Sequence, residues 1–206
     1  QMLQRAFELD NLEPMVPAIR ELASQHATVR FWKGTFAWLL VETGAFAEAS
    51  RILSSFREPE LSRLMSEPGC GLGLGNLAVV ASKVGTDRVR RRFLAIIDPL
   101  ADRCVSAGYG VAYFGAFSRY AGLLQHSLGR SDLAVDSLKR ALESETSRGL
   151  PSWRMYAAAD LLIAQKACGM DLSATLQEIS VMQETYSSMR LPRAERVIRE
   201  ALELSC

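Results

Sequence analysis

The sequence is poor in residues that bind metals or form disulfide frameworks. Its 206 residues include four cysteines and two histidines, and no two cysteines stand at a CxxC spacing. Structural zinc sites usually need four closely spaced cysteine or histidine ligands. We therefore expect no metal ion and no other cofactor. Reduced cysteines are the expectation, as in a cytoplasmic protein.

No excess of one charge and no long apolar run is present. Lysine and arginine number 24 against 23 acidic residues, a net charge of +1. Proteins that bind nucleic acid or anionic membranes through their overall field usually carry a strong positive excess. No apolar run reaches the ~18–20 residues that span a bilayer. We expect no direct contact with nucleic acid or membrane and a cytoplasmic location, and the absence of an initiator Met indicates a piece of a longer chain.

The sequence also lacks a pattern that points to catalysis. A phosphate-binding loop needs a preceding strand and, in its common form, a Lys followed by Ser or Thr, and the glycine-rich segment 69–75 has neither. His126 has no acidic neighbour in sequence to orient it, and Asp132 and Asp136 resemble ordinary solvated acids. We predict no enzymatic activity, and a close helix contact at residues 69–75.

Amphipathic helices are what the sequence has in abundance. The stretch 113–142 contains two, joined at Gly129, because apolar residues recur there at steps of three and four. Glycine at the turn supplies the positive φ that ends one helix and lets the next begin. This pattern predicts a helical hairpin.

The hairpin signal recurs along the chain. A Gly-x-x-x-x-Ala pattern begins at Gly44, Gly129 and Gly169, and a degenerate copy begins at Gly85 with Arg90 in place of the alanine. Successive glycines lie 41, 44 and 40 residues apart. A regular period of this length is typical of helical repeat arrays.

We therefore predict one all-α domain over residues 1–206. Its architecture is a tetratricopeptide-like, right-handed superhelical array of about four helical hairpins plus a terminal capping helix. A break near Asp98, caused by Pro99, and a short helix from Pro59 to about Met65 are also expected. Helix content near three-quarters and no β-strand are predicted. The hairpins are expected at about 29–56, 72–105, 112–148 and 151–188, and the terminal helix at 191–206.

Three stretches carry a family resemblance: residues 38–49, 108–124 and 128–134. They resemble the tetratricopeptide-like C-terminal region of large bacterial signalling ATPases, which carry an adenylate or guanylate cyclase domain or a LuxR-type DNA-binding domain. Trp153 after a proline, and residues 189–196, add to the likeness. The resemblance spans roughly residues 15–200. It implies a regulatory region whose ATP-binding, cyclase or DNA-binding parts lie elsewhere in the parent protein.

In tetratricopeptide arrays the first helix of each hairpin lines a concave groove. Aligning the repeats on their turn glycines places apolar and basic side chains there, which suits a peptide or an adjacent domain. An alternative for the aromatic members is packing between neighbouring helices. The predicted groove residues are Phe31, Trp38, Arg119, Leu123, His126, Tyr156 and Lys166.

These expectations lead to two hypotheses about function. The first is a non-catalytic interaction and regulatory module that binds a protein partner or an adjacent domain of the same chain and controls the parent's output. The second is a small-molecule effector sensor with an aromatic pocket. The pocket residues would be Tyr109, Tyr113, Phe117, Trp153 and Tyr156.

The four arginines of the basic run are expected to form a mostly solvated face: Arg88, Arg90, Arg91 and Arg92. The oligomeric state stays open.

Overall fold

The computed structural model describes residues 2–107 and 112–204. Helices make up 76% of the structure, which confirms the predicted helix content. The described residues form twelve α-helices and one two-stranded antiparallel sheet. In chain order they are α1 Met2–Glu8, α2 Val16–Gln25, α3 Arg30–Glu42, α4 Phe46–Ser55, α5 Glu58–Met65, α6 Cys70–Val84, α7 Asp87–Ile97, β1 Cys104–Ala107, β2 Ala112–Ala116, α8 Phe117–Ser127, α9 Ser131–Arg148, α10 Pro151–Ala167, α11 Ser173–Thr185 and α12 Pro192–Glu203.

Eight of these helices pack in consecutive pairs: α3 with α4, α6 with α7, α8 with α9, and α10 with α11. The turn glycines Gly44, Gly129 and Gly169 have φ values of +80°, +73° and +64°. Left-handed backbone at these positions confirms the predicted turns. Gly85 differs, with φ of −77°. The expected break at Pro99 is also confirmed, because α7 ends at Ile97 and a short 3₁₀ turn follows.

The expectation of no β-strand is wrong between α7 and α8. Residues that we assigned to the ends of the second and third hairpins form β1 and β2 instead. In β2, Gly115 has φ of +92°, and a Cβ there would lie 2.8 Å from the Trp153 ring. The Ala116 N–H donates to the buried Glu145 carboxylate at 2.8 Å. Contacts from α9 and α10, far away in sequence, therefore hold β2 in an extended form.

Small residues allow close approach between helices. A Cβ on Gly73 would lie 2.7 Å from Leu64 and 3.3 Å from Phe31, and one on Gly122 would lie 2.6 Å from Leu138. Carbon atoms do not approach that closely, so larger residues would push these helices apart. The glycine-rich segment 69–75 thus begins α6 and serves packing, as the sequence predicts.

The second and fourth hairpins depart from the repeat pattern. Arg90, at the position of the missing alanine, donates to the carbonyls of Ala81 at 3.3 Å and Ser127 at 2.9 Å. It therefore ties α7 to the carboxyl ends of α6 and α8. In the fourth hairpin Ala174 is exposed. The connection there runs over residues 168–172, which is longer than the other hairpin turns, so α11 begins later and its register shifts.

The last helix, α12, packs chiefly on α10 and also contacts α1. A continuous apolar core extends from Phe7 in α1 to Ala201 in α12. The first and last helices of the described chain therefore meet across the array.

Gly129 provides a direct test of the turn assignment. No atom lies within 4 Å of the position that a Cβ would take there, so the cost of substitution is conformational. We expect Gly129→Val to lower the free energy of unfolding by more than ~1 kcal/mol. Gly129→Asn should cost less, because asparagine tolerates left-handed backbone. Urea melts of both variants measure the difference, and equal costs would contradict the assignment.

Candidate functional site: a central cavity

Four helices, α3, α6, α8 and α10, line a cavity of about 380 Å³, here called the central cavity. Each is the first helix of its hairpin. The residues six positions before the four turn glycines all contribute to its wall: Trp38, Val79, Leu123 and Ile163. Successive hairpins therefore present equivalent positions to the same space.

Helices α1 and α12 complete the wall of the central cavity. Phe7 contributes from α1, and α12 contributes one helical face: Arg193, Arg196, Val197, Glu200 and Ala201. The exposed side chains of Phe46 and Leu204 also belong to the lining. The arrangement differs from a groove that is open along its whole length.

Two arginines of α12 hold this closure in place, and we call the cluster of Arg193, Arg196, Asp10 and Glu42 the terminal clasp. Arg193 pairs with Asp10 at 3.3 Å and with Glu42, and Arg196 pairs with Asp10. The Arg193 guanidinium also lies 4.0 Å from the centroid of the Phe7 ring. The hydrogen bond from Arg196 lowers the pKa of Asp10, although partial burial opposes the shift.

Arg119 is buried and paired, whereas the sequence suggested a free basic group in the groove. Its Nε donates to Asp160 Oδ2 at 2.7 Å, and each side chain is only 13% exposed. Its guanidinium lies 5.8 Å from the Trp153 ring centroid and 5.6 Å from that of Tyr156. Arg119 does line the central cavity, but as a nearly buried charge that is paired with Asp160.

Trp153 lies at the centre of an aromatic cluster. Its ring centroid is 5.3 Å from that of Tyr156, 5.8 Å from Phe7 and 5.9 Å from Tyr113. The Tyr156 hydroxyl donates to Glu8 Oε2 at 3.1 Å, and burial raises the pKa of Glu8. The cluster is packed, and one side of it faces the central cavity.

The predicted aromatic pocket is assembled only in part. Tyr113 and Tyr156 each contact Trp153. Phe117 packs against Tyr120 instead. Tyr109 falls outside the described residues.

A buried ionisable side chain that the sequence analysis did not single out is Glu145 of α9, which lies outside the lining of the central cavity. It is fully buried and accepts hydrogen bonds from the Tyr113 hydroxyl at 2.7 Å and from the Ala116 N–H at 2.8 Å. Burial raises its pKa, while these two donors oppose the shift. A signal was present, because Glu145 continues the apolar stripe of Leu138, Ala141 and Leu142.

Three predicted groove residues do not line the central cavity. Phe31 packs against Trp32 at 4.5 Å. His126 Nδ1 lies 3.0 Å from the Ser131 hydroxyl. Lys166 is exposed, and its Nζ donates to the carbonyl of Leu204. The remaining four, Trp38, Arg119, Leu123 and Tyr156, do line it.

The basic run on α7 is only partly a solvated face. Arg88 and Arg91 are exposed, as expected. Arg92 donates to the Phe56 carbonyl at 2.6 Å, and Arg90 binds the main chain as described above. Two of the four arginines therefore hold helices together.

Comparison of the chain with known protein families, with curated proteins and with solved structures finds no match. Among residues 2–107 and 112–204, no group of three or more His, Cys, Asp or Glu side chains could hold a metal ion. No helix in that part of the chain has the length and apolarity to cross a membrane. The case for a function therefore rests on the geometry of the central cavity.

The burial of Arg119 leads to a prediction about stability. Arg119→Ala leaves Asp160 as an uncompensated, nearly buried charge, so we expect a loss of ~3–5 kcal/mol in the free energy of unfolding. Lys166→Ala removes an exposed charge and should change it by less than ~1 kcal/mol. Denaturant melts of the two variants make the comparison. Similar small effects would contradict the pairing.

The terminal clasp leads to a prediction about pH. Because the folded-state pKa of Asp10 lies below its ordinary value of 3.8, its charge stabilises the fold above that value, and the effect fades as the pH falls through the folded pKa. The wild type should therefore be more stable than Asp10→Asn at neutral pH. Denaturant melts at several pH values should show the gap narrowing as the medium becomes acidic. A difference in unfolding free energy that does not change with pH would contradict the assignment of the effect to Asp10. Glu8 is present in both proteins, so its titration cancels in the comparison.

Proposed function

We propose that this chain is a non-catalytic regulatory module whose central cavity binds a partner or effector. The observation that carries the proposal is the convergence of Trp38, Val79, Leu123 and Ile163 from four consecutive hairpins on one cavity. Repeat arrays use such equivalent positions to build a shared binding surface. We further propose that the array is tetratricopeptide-like and right-handed.

We also propose that the module belongs to a larger bacterial signalling ATPase. In that parent, binding at the module would control a cyclase or transcriptional output. The support is the resemblance over residues 38–49 and 128–134, where Gly44 and Gly129 form the turns that the likeness implies. The part of the resemblance at residues 108–111 lies outside the described structure.

A small-molecule effector is the second candidate, and a specific observation favours it. Helices α1 and α12 add further walls to the central cavity beside the first helices of the hairpins, which makes it a partly enclosed pocket. Its volume of about 380 Å³ falls within the range of ~300–1,000 Å³ typical of small-molecule sites. A protein partner would more readily use a groove that is open at its edge.

The proposed function can be tested with a larger side chain that fills part of the central cavity. Leu123 is half-buried in its wall, and Leu123→Trp adds bulk to that space. We expect the variant to retain its melting temperature and to lose partner- or effector-dependent control of the parent's output. The full-length parent is the protein to assay, with output measured beside thermal unfolding.

Leu133→Trp is the matched control. Leu133 lies on α9, is 39% exposed and stands outside the cavity lining. It should leave both stability and control unchanged. Normal control in a stable Leu123→Trp protein would contradict the proposal.

A further inference from the structure

The guanidinium of Arg119 has an unused hydrogen-bonding edge. Its Nε donates to Asp160, and within residues 2–107 and 112–204 neither Nη atom donates to a protein acceptor. Neither Nη atom is among the fully buried polar atoms that lack a partner, so both reach accessible space. Because Arg119 lines the central cavity, that edge is available to a molecule inside it.

Flat and apolar side chains surround this edge. The rings of Trp153 and Tyr156 lie beneath the Arg119 guanidinium at 5.8 and 5.6 Å. Both rings are almost completely buried, so they support Arg119 without offering a free face. The half-buried side chains of Val79, Leu123 and Ile163 contribute an aliphatic wall. A largely apolar molecule would therefore find that wall beside two parallel N–H donors.

In the described part of the lining, an anion would find its donors at the Nη edge of Arg119 and at Lys83. The clasp arginines Arg193 and Arg196 are already paired with acids. Lys83 is exposed and forms no ion pair within the described part of the chain. With Asp10 of the terminal clasp included, the charges balance: Lys83, Arg119, Arg193 and Arg196 against Asp10, Glu42, Asp160 and Glu200.

We propose that the central cavity binds a small, largely apolar organic carboxylate, with its carboxylate on the Nη edge of Arg119 and its apolar body against Val79, Leu123 and Ile163. Guanidinium and carboxylate match in a bidentate pair. A volume of about 380 Å³ suits one or two fused rings and is too small for a helix. This inference rests on the second form of the proposed function, the small-molecule effector.

The test uses naphthoate and its neutral isostere naphthamide as probes in isothermal titration calorimetry. We expect naphthoate to bind, and naphthamide to bind at least ~10-fold more weakly, since the amide forfeits the charge-assisted pair. A peptide ending in a tryptophan carboxylate is a third probe. Tighter binding of that peptide than of naphthoate would overturn the assignment to a small molecule.

Two conservative variants distinguish a role of Arg119 in binding the carboxylate from a role in stabilising the fold. Arg119→Lys keeps the positive charge beside Asp160 and removes the two parallel Nη donors. The ratio of the naphthoate affinity to the naphthamide affinity should therefore fall toward one. Asp160→Asn removes the competing acid, so naphthoate should bind several-fold more tightly while naphthamide changes little. A purely structural Arg119 would shift both probes alike. Near-ultraviolet circular dichroism checks that each variant is folded.

Several results would overturn the inference. Failure of naphthoate to bind the wild type is one, and equal binding of the acid and the amide is another. Undiminished naphthoate binding by Leu123→Trp would place the site elsewhere. None of these results affects the assay of the parent's output with Leu123→Trp, which tests the proposed function separately.

Discussion

The pairing of Arg193 with Asp10 and Glu42 is the interaction on which the shape of the binding site depends. It joins α12 to the segment after α1 and to α3, across 183 and 151 residues of chain. The Arg193 side chain is only 8% exposed, and its guanidinium stacks on Phe7. A buried charge that loses one partner is costly. The same ion pairs that hold Arg193 therefore keep the two ends of the array together beside the central cavity.

The cavity exists because the repeats are in register. Residues six positions before each turn glycine meet there, although the four glycines do not share one backbone conformation. Polar side chains inside the array are paired in a similar way: Arg119 with Asp160, and Glu145 with Tyr113.

Local patterns predicted the parts of the fold that local forces determine. Apolar periodicity and the turn glycines located the helix pairs, and Pro99 located the end of α7. Local patterns could not predict contacts between residues that are distant in sequence. The extended form of β2 depends on Glu145 and Trp153, and the burial of Arg119 depends on Asp160, 41 residues away. Of the seven groove residues that the helical periodicity and the turn glycines predicted, four line the central cavity. These patterns could not show that α12 packs beside those residues.

The ion pair between Arg193 and Glu42 holds α12 against α3 at the wall of the central cavity. A double-mutant cycle tests this pair, with Glu42→Gln, Arg193→Gln and the double variant unfolded in denaturant. We expect a coupling free energy of at least ~1 kcal/mol, because the side chains share a nearly buried ion pair. Additive effects, with a coupling below ~0.3 kcal/mol, would show that this pair does not hold α12 against α3 and would contradict the role of α12 in the cavity wall.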